Sequence, residues 1–182
     1  MSGDLVEKAA RIAITAHAGQ VRKDDGFPYI VHPFMVAHIL TRHRLPDAVV
    51  AAGLVHDVLE DTDFPEEQLR AQLGDEVLNI VTVVTYDKSL SWEEKRIKYV
   101  EAVRNGPEGA KAVSVADKMA NAANLIASYA SQGKEVWKNF NRGKEKKMWF
   151  EHLVLDMLRE TWQHPLVDEY ARLVDAMDAM EA

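Results

Sequence analysis

The sequence predicts an all-α fold, on three observations. Apolar residues recur at helical spacing through most of the 182 positions, no stretch alternates convincingly as a strand, and the breaks carry proline at starts and glycine at stops. Residues 4–18 ("DLVEKAARIAITAHA") form the first amphipathic helix, and Gly19 with the polar "QVRKDDGFPY" makes a loop. "HPFMVAHILTRH" begins a second helix, with Pro33 suited to its first turn. Pro46 and Asp47 open a third that runs to about Glu60, and "DFPEEQLRAQLG" gives a fourth, with Gly74 as its stop. Residues 75–85 continue as an apolar helix, and Ser91 to Glu94 ("SWEE") have capping-box spacing for the next. "NGPEG" breaks the chain before "AKAVSVADKMANAANLIASY"; a long helix covers about 143–162, and the last follows Pro165.

Composition narrows the classes. A chain of this length closes one core, so residues 1–182 are expected to be a single domain. An apolar share of 47% is that of a globular protein. No run of 18 apolar residues is present, which argues against a membrane span. "MSGDLVEKAA" lacks the pattern of a secretory signal, and the lack of cysteine leaves no disulfide or thiolate metal site, so a cytoplasmic home is expected. The net charge of −7 argues against a nucleic-acid polymer as partner. A small phosphate ligand needs only a few local cations, and "VRKDDG" and "NRGKEKK" supply two clusters. Homo-oligomerisation is left open.

"LVHDVLEDTD", residues 54–63, puts His56, Asp57, Glu60 and Asp61 into an otherwise apolar helix. Unpaired buried charge is expensive, so these groups need compensation. On a helix His56 and Glu60 share one face and Asp57 and Asp61 the adjacent one, so acids crowd within about one turn. A divalent cation would relieve that repulsion. Two further positions are of the same kind. His32, in "PYIVHP", sits at a loop-to-helix junction, and Asp117, in "VSVADKMAN", is a lone acid in an apolar helical run. Two imidazoles and two carboxylates suit Mn²⁺, Fe²⁺ or Zn²⁺ in an open site. Read alone, the 54–63 stretch fits a solvated, capped helix end equally well.

The order His32, His56-Asp57, Asp117 resembles that of the HD superfamily of metal-dependent phosphohydrolases. "RKDDGFPYIVHP", "AAGLVHDVLEDTD" and "VADKMAN" together resemble the hydrolase domain of the Rel/Spo alarmone enzymes, and the chain is similar to their stand-alone small hydrolases. The resemblance implies a helical HD-domain bundle. It implies that His32, His56, Asp57 and Asp117 bind a metal, typically Mn²⁺, and that Glu60 and Asp61 handle the attacking water and its protons. It further implies that Arg22 and Lys23 meet a diphosphate and Asn121 a nucleotide. The implied reaction removes the 3′-pyrophosphate from guanosine tetra- or pentaphosphate.

The chain departs from the family pattern after Asp117. Ser114 stands where the pattern has Lys, Ala120 where an aromatic or His precedes the Asn, and Ala123 where it has Arg. These departures spare the metal set and bear on the nucleotide contacts. Another nucleotide with a ribose 2′- or 3′-phosphate, NADPH for example, is therefore an alternative substrate, and a non-catalytic nucleotide-binding module is a third reading. Lys111 or the 142–147 cluster could replace the lost cations. Lys118 is expected to pair with a neighbouring acid, and Trp137, Trp149 and Phe150 to pack. His17, His38, His43, His152 and His164 carry no motif support.

Overall fold

The structure, a computed structural model, describes residues 3–22 and 26–182. It is helical as expected, and among the described residues the sole β feature is an isolated antiparallel bridge between Val21 and Pro28. The helices are α1 (Gly3–Ala16), α2 (Val31–Arg42), α3 (Asp47–Val55), α4 (Val58–Asp61), α5 (Glu66–Leu73), α6 (Asp75–Val84), α7 (Trp92–Asn105), α8 (Glu108–Gln132), α9 (Gly143–Thr161) and α10 (Pro165–Asp178). A 3-10 segment, Gly133–Asn139, links α8 to α9 and has no counterpart in the periodicity.

Two helices form the interior. Helix α3 is apolar on every side, and Val49 to Val55 are all buried; a helix with no polar face must be enclosed. It is packed by α1, α2, α6 and α8. The longest helix, α8, buries the run Ala110 to Ala116 and meets α2, α3, α6, α7 and α10. Small side chains allow this closeness. A Cβ on Gly53 would lie 2.5 Å from Leu40 Cδ1 and 3.3 Å from Val36 Cγ1, so α2 crosses α3 at the one residue with nothing to collide.

The predicted ends hold with one correction. Ser91 accepts from the Glu94 amide at 3.4 Å and Glu94 accepts from the Ser91 amide at 3.1 Å, the reciprocal capping box. Helix α8 starts at Glu108, straight after Pro107, and α10 has Pro165 in its first turn. The helix expected to run unbroken from Asp47 to about Glu60 is interrupted at His56 and Asp57. The reason is local. His56 Nδ1 takes the Gly53 carbonyl at 2.8 Å, the oxygen that Asp57 N–H would use in a continuing helix. The Asp57 backbone relaxes to φ −93°, ψ −5°, and regular turns resume with Asp61 N–H on the Asp57 carbonyl at 2.8 Å.

Candidate metal centre and its cavity

Three elements deliver four side chains to one place. The first turn of α2 carries His32; the α3–α4 break carries His56 and Asp57; the middle of α8 carries Asp117. His32 Nε2 is 3.1 Å from Asp117 Oδ1 and 3.7 Å from Asp57 Oδ2. His56 Nε2 is 3.0 Å from Asp57 Oδ2 and 3.8 Å from Asp117 Oδ1. His32, His56 and Asp57 present ligand atoms that all lie within 4.8 Å of one another. Both histidines are buried and both carboxylates nearly so.

The donor set fits a divalent ion. His56 gives its Nδ1 proton to the Gly53 carbonyl, which fixes the tautomer and leaves Nε2 as a lone-pair donor. That Nε2 is buried and has no hydrogen-bond partner among the described residues, and neither has His32 Nδ1. His56 Nε2, an orphaned buried nitrogen beside two carboxylates, is a cost that a cation removes, whereas His32 faces the same carboxylates through Nε2 rather than through its orphaned Nδ1. The electrostatics agree. Burial opposes ionisation of Asp57, yet the adjacent His56 imidazole outweighs it and takes the carboxyl down to about 2. Burial likewise works against Asp117, and Lys118 with the two imidazoles holds it well below the usual range. Burial also disfavours charge on His56, but Asp57 and Asp117 push its pKa well up. The pocket thus recruits positive charge, and a metal supplies it while leaving both imidazoles neutral.

Neighbouring donors fix the carboxylates. Lys118 reaches Asp117 Oδ2 at 2.8 Å, the pairing expected of it, and the Asn121 amide donates to Asp117 Oδ1 at 2.7 Å, one turn along α8. The Tyr29 hydroxyl donates to Asp57 Oδ2 at 2.5 Å; burial first, and Asp57 second, push its pKa up and keep it a donor.

These four side chains open into a cavity of about 1020 Å³. Glu60 and Asp61 lie on its wall. The Tyr86 amide donates to Glu60 Oε2 at 3.2 Å, and burial raises the Glu60 pKa, with help from Asp57 and Asp61. Asp61 is more open, with Lys88 at 3.8 Å, and burial is again the main force raising its pKa. Arg22 and Asn121 also face this cavity, whereas Lys23 lies outside the described residues. Ser114 lines it with its hydroxyl engaged by Tyr99 at 2.7 Å, and Ala123 is exposed. On the far side, from α7, the Arg96 guanidinium lies 4.1 Å from the Trp92 ring centroid and 5.0 Å from that of Phe150. The 142–147 cluster sends Arg142 and Lys147 to the same cavity. Sequence reasoning passed over Tyr29 and Arg96. The i, i+4 spacing of Trp92 and Arg96 was readable; the Tyr29–Asp57 contact is tertiary.

Comparison with known proteins follows the same lines. The HD domain family's sequence profile matches residues 9–142. The guanosine-3′,5′-bis(diphosphate) 3′-pyrophosphohydrolase MESH1 of Homo sapiens is 43% identical over 122 residues, covering 65% of this chain and 68% of that protein. The Mus musculus MESH1 is 41% identical over 121 residues, with the same coverage. Among solved structures, lmo0812 from Listeria monocytogenes EGD-e superposes with a TM-score of 0.75 at 39% identity, over 80% of this chain and 97% of that one. A metazoan ortholog of SpoT that hydrolyzes ppGpp and plays a role in starvation responses superposes with a TM-score of 0.76 at 29% identity, over 92% of this chain and 94% of that one. With its His, His-Asp and Asp residues gathered at one buried point of a helical fold and a profile match spanning most of its length, the chain belongs to the HD domain family.

Proposed function

We propose that this protein is a guanosine-3′,5′-bis(diphosphate) 3′-pyrophosphohydrolase of the cytoplasm that uses Mn²⁺ or a similar first-row divalent ion. One observation carries the reading: His32, His56, Asp57 and Asp117 meet at the wall of a cavity that also holds two acids and several cations. The activities named for the relatives described above support the choice of substrate.

The reaction adds water across the bond between the ribose 3′-oxygen and phosphorus, returning a 3′-hydroxyl and free pyrophosphate. His32, His56, Asp57 and Asp117 would hold the metal, which when bound polarises a phosphoryl oxygen and lowers the pKa of water. Glu60 accepts the proton of the attacking water; it lies on the cavity wall, and burial raises its pKa above that of an ordinary glutamate, the direction that strengthens a base. Asp61, beside Lys88, assists proton transfer from the more open side. Arg22 and Lys23 offset the charge gathering on the departing diphosphate. Asn121 is assigned to the nucleotide end, where it also steadies Asp117.

Purified protein with Mn²⁺ is expected to release pyrophosphate, not phosphate, from guanosine tetraphosphate. His56→Ala and Asp57→Ala are each expected to abolish the release. Metal-loaded wild type that releases nothing overturns the substrate assignment.

A second reading rests on Ser114, whose hydroxyl is engaged by Tyr99, and on Ala123, which is exposed. These replace cations of the family pattern and favour another 2′- or 3′-phosphorylated nucleotide, such as NADPH. A panel of phosphorylated nucleotides with Mn²⁺, scored separately for phosphate and pyrophosphate, separates the two.

A further inference from the structure

We infer that Tyr29 is a positioning residue of the metal centre: its hydroxyl locks the Asp57 carboxylate in the orientation that presents Oδ2 to the ion. The inference rests on the metal-binding half of the proposal above and is independent of the substrate.

Geometry argues it. Tyr29 donates to Oδ2 of Asp57, and Oδ2 is the oxygen that lies 3.0 Å from His56 Nε2 and 3.7 Å from His32 Nε2. An ionised carboxylate oxygen has room for one donor and one cation, so the phenol steers the ligating atom without displacing it. The two carboxylates are braced unequally. Asp117 has Lys118 on one oxygen and Asn121 on the other, while among the described residues Asp57 has the Tyr29 hydroxyl on Oδ2, with the His56 imidazole beside it at 3.0 Å. Without that hydroxyl the Asp57 carboxylate loses a direct restraint on its last torsion, which is broad for such groups, and keeps only the imidazoles beside it.

Tyr29 is itself fixed from several sides. Its amide donates to the Gln20 carbonyl at 2.9 Å, and its own carbonyl accepts from the His32 amide at 2.9 Å, so one residue joins the chain just after α1 to the turn that carries His32. Its ring lies 4.9 Å from that of buried His17. The Gln20 side chain ties this assembly to the acids, because its Nε2 donates to the Asp61 carbonyl at 3.0 Å while its Oε1 takes the His17 Nδ1 proton at 2.9 Å. The end of α1 therefore supports both a ligand and the acid-bearing turn. His17, which has no motif of its own, acquires a purpose in holding Tyr29.

The test is Tyr29→Phe, which keeps the ring against His17 and removes the hydroxyl alone. Mn²⁺ binding is followed by the electron paramagnetic resonance signal of free ion and by calorimetry. The expected result is a Kd for Mn²⁺ raised about 10- to 100-fold, the usual consequence of losing an outer hydrogen bond to a metal ligand. Pyrophosphate release should fall at limiting Mn²⁺ and recover at saturating Mn²⁺. Tyr99→Phe is the control: it removes another buried hydroxyl, one bonded to Ser114, and should leave the Mn²⁺ Kd unchanged. A Kd within twofold of wild type overturns the inference. So does a Tyr29→Phe protein that has lost its helical circular dichroism, since the hydroxyl would then be serving the fold. Wild type that binds Mn²⁺ but hydrolyses no guanosine tetraphosphate refutes the proposed substrate and leaves the role of Tyr29 standing.

Discussion

Glu60 and Asp61 are adjacent acids in unlike surroundings, and the difference bears on the separate roles proposed for them. Glu60 is partly enclosed, with the Tyr86 amide on one oxygen, whereas the Asp61 side chain is 43% exposed and faces Lys88. A general base needs a pKa near the working pH, and burial moves Glu60 that way. Glu60→Gln keeps the size and the hydrogen bond to Tyr86 but cannot take a proton. Its turnover is expected to fall by about 10²- to 10⁴-fold with Mn²⁺ affinity nearly unchanged, which steady-state rates and a metal titration would check side by side. The wild-type rate should decline on acidification through a pKa above that of an ordinary glutamate, because the base acts ionised and its folded-state pKa is raised. A rate profile flat through that range, or a fully active Glu60→Gln, removes Glu60 from the role. At this scale the sequence was legible where residue type and order speak together. His32, His56, Asp57 and Asp117 could be singled out with no view of the fold, and the spacing of Asn121 from Asp117 already put the two on one helix face. Tyr29 was not legible, because its bond to Asp57 spans 28 positions and leaves no periodic trace.

The ordering of helices followed from periodicity, proline starts and glycine stops, but the break between α3 and α4 did not. Leu54 to Asp61 reads as continuous helix because its apolar spacing never falters; the interruption comes from a His56 side chain competing for the Gly53 carbonyl. The 3-10 segment at Gly133–Asn139 was hidden for a similar reason, since Val136 and Trp137 pack tertiarily without helical periodicity. Gly53 therefore has two functions: its carbonyl sets the His56 tautomer and its bare Cα lets α2 approach. Gly53→Ala tests the second. In an unhindered helix this change stabilises by about 0.5–1 kcal/mol. Here the new methyl would meet Leu40 Cδ1 at 2.5 Å and Val36 Cγ1 at 3.3 Å, both on buried side chains with little space to yield. Overpacking of this kind costs about 1–3 kcal/mol, so net destabilisation is expected in urea titrations of the metal-free protein. Mn²⁺ affinity should weaken too, because pushing α2 from α3 separates His32 from His56. Unchanged or increased stability would show that the α2–α3 crossing is not close-packed in solution.

Across the whole molecule, the candidate centre lies where distant parts of the chain converge. His32, the His56-Asp57 pair and Asp117 are separated by 24 and 60 residues, yet they close on one point between α2, the α3–α4 break and α8. A bound ion would therefore tie the loop-bearing edge of the fold to its central helix. The folded chain brings these four side chains together and the unfolded chain does not, so an ion held by them would add to folding stability by mass action. At free Mn²⁺ one hundred times its Kd the gain is about 2.7 kcal/mol. For a chain of this length that corresponds to a rise in Tm of about 5–10 °C. Thermal unfolding with Mn²⁺ and with excess chelator should differ by this amount, and the difference should disappear in Asp117→Asn, whose amide is a poorer ligand of similar shape. The variant also weakens the pairing with Lys118, so its chelated Tm should fall below that of chelated wild type. The decisive quantity is thus the metal-dependent increment within each protein. An equal increment in wild type and Asp117→Asn would mean that the ion binds elsewhere; no increment in wild type would mean that the convergence of these three segments is held by Lys118 and the imidazoles alone.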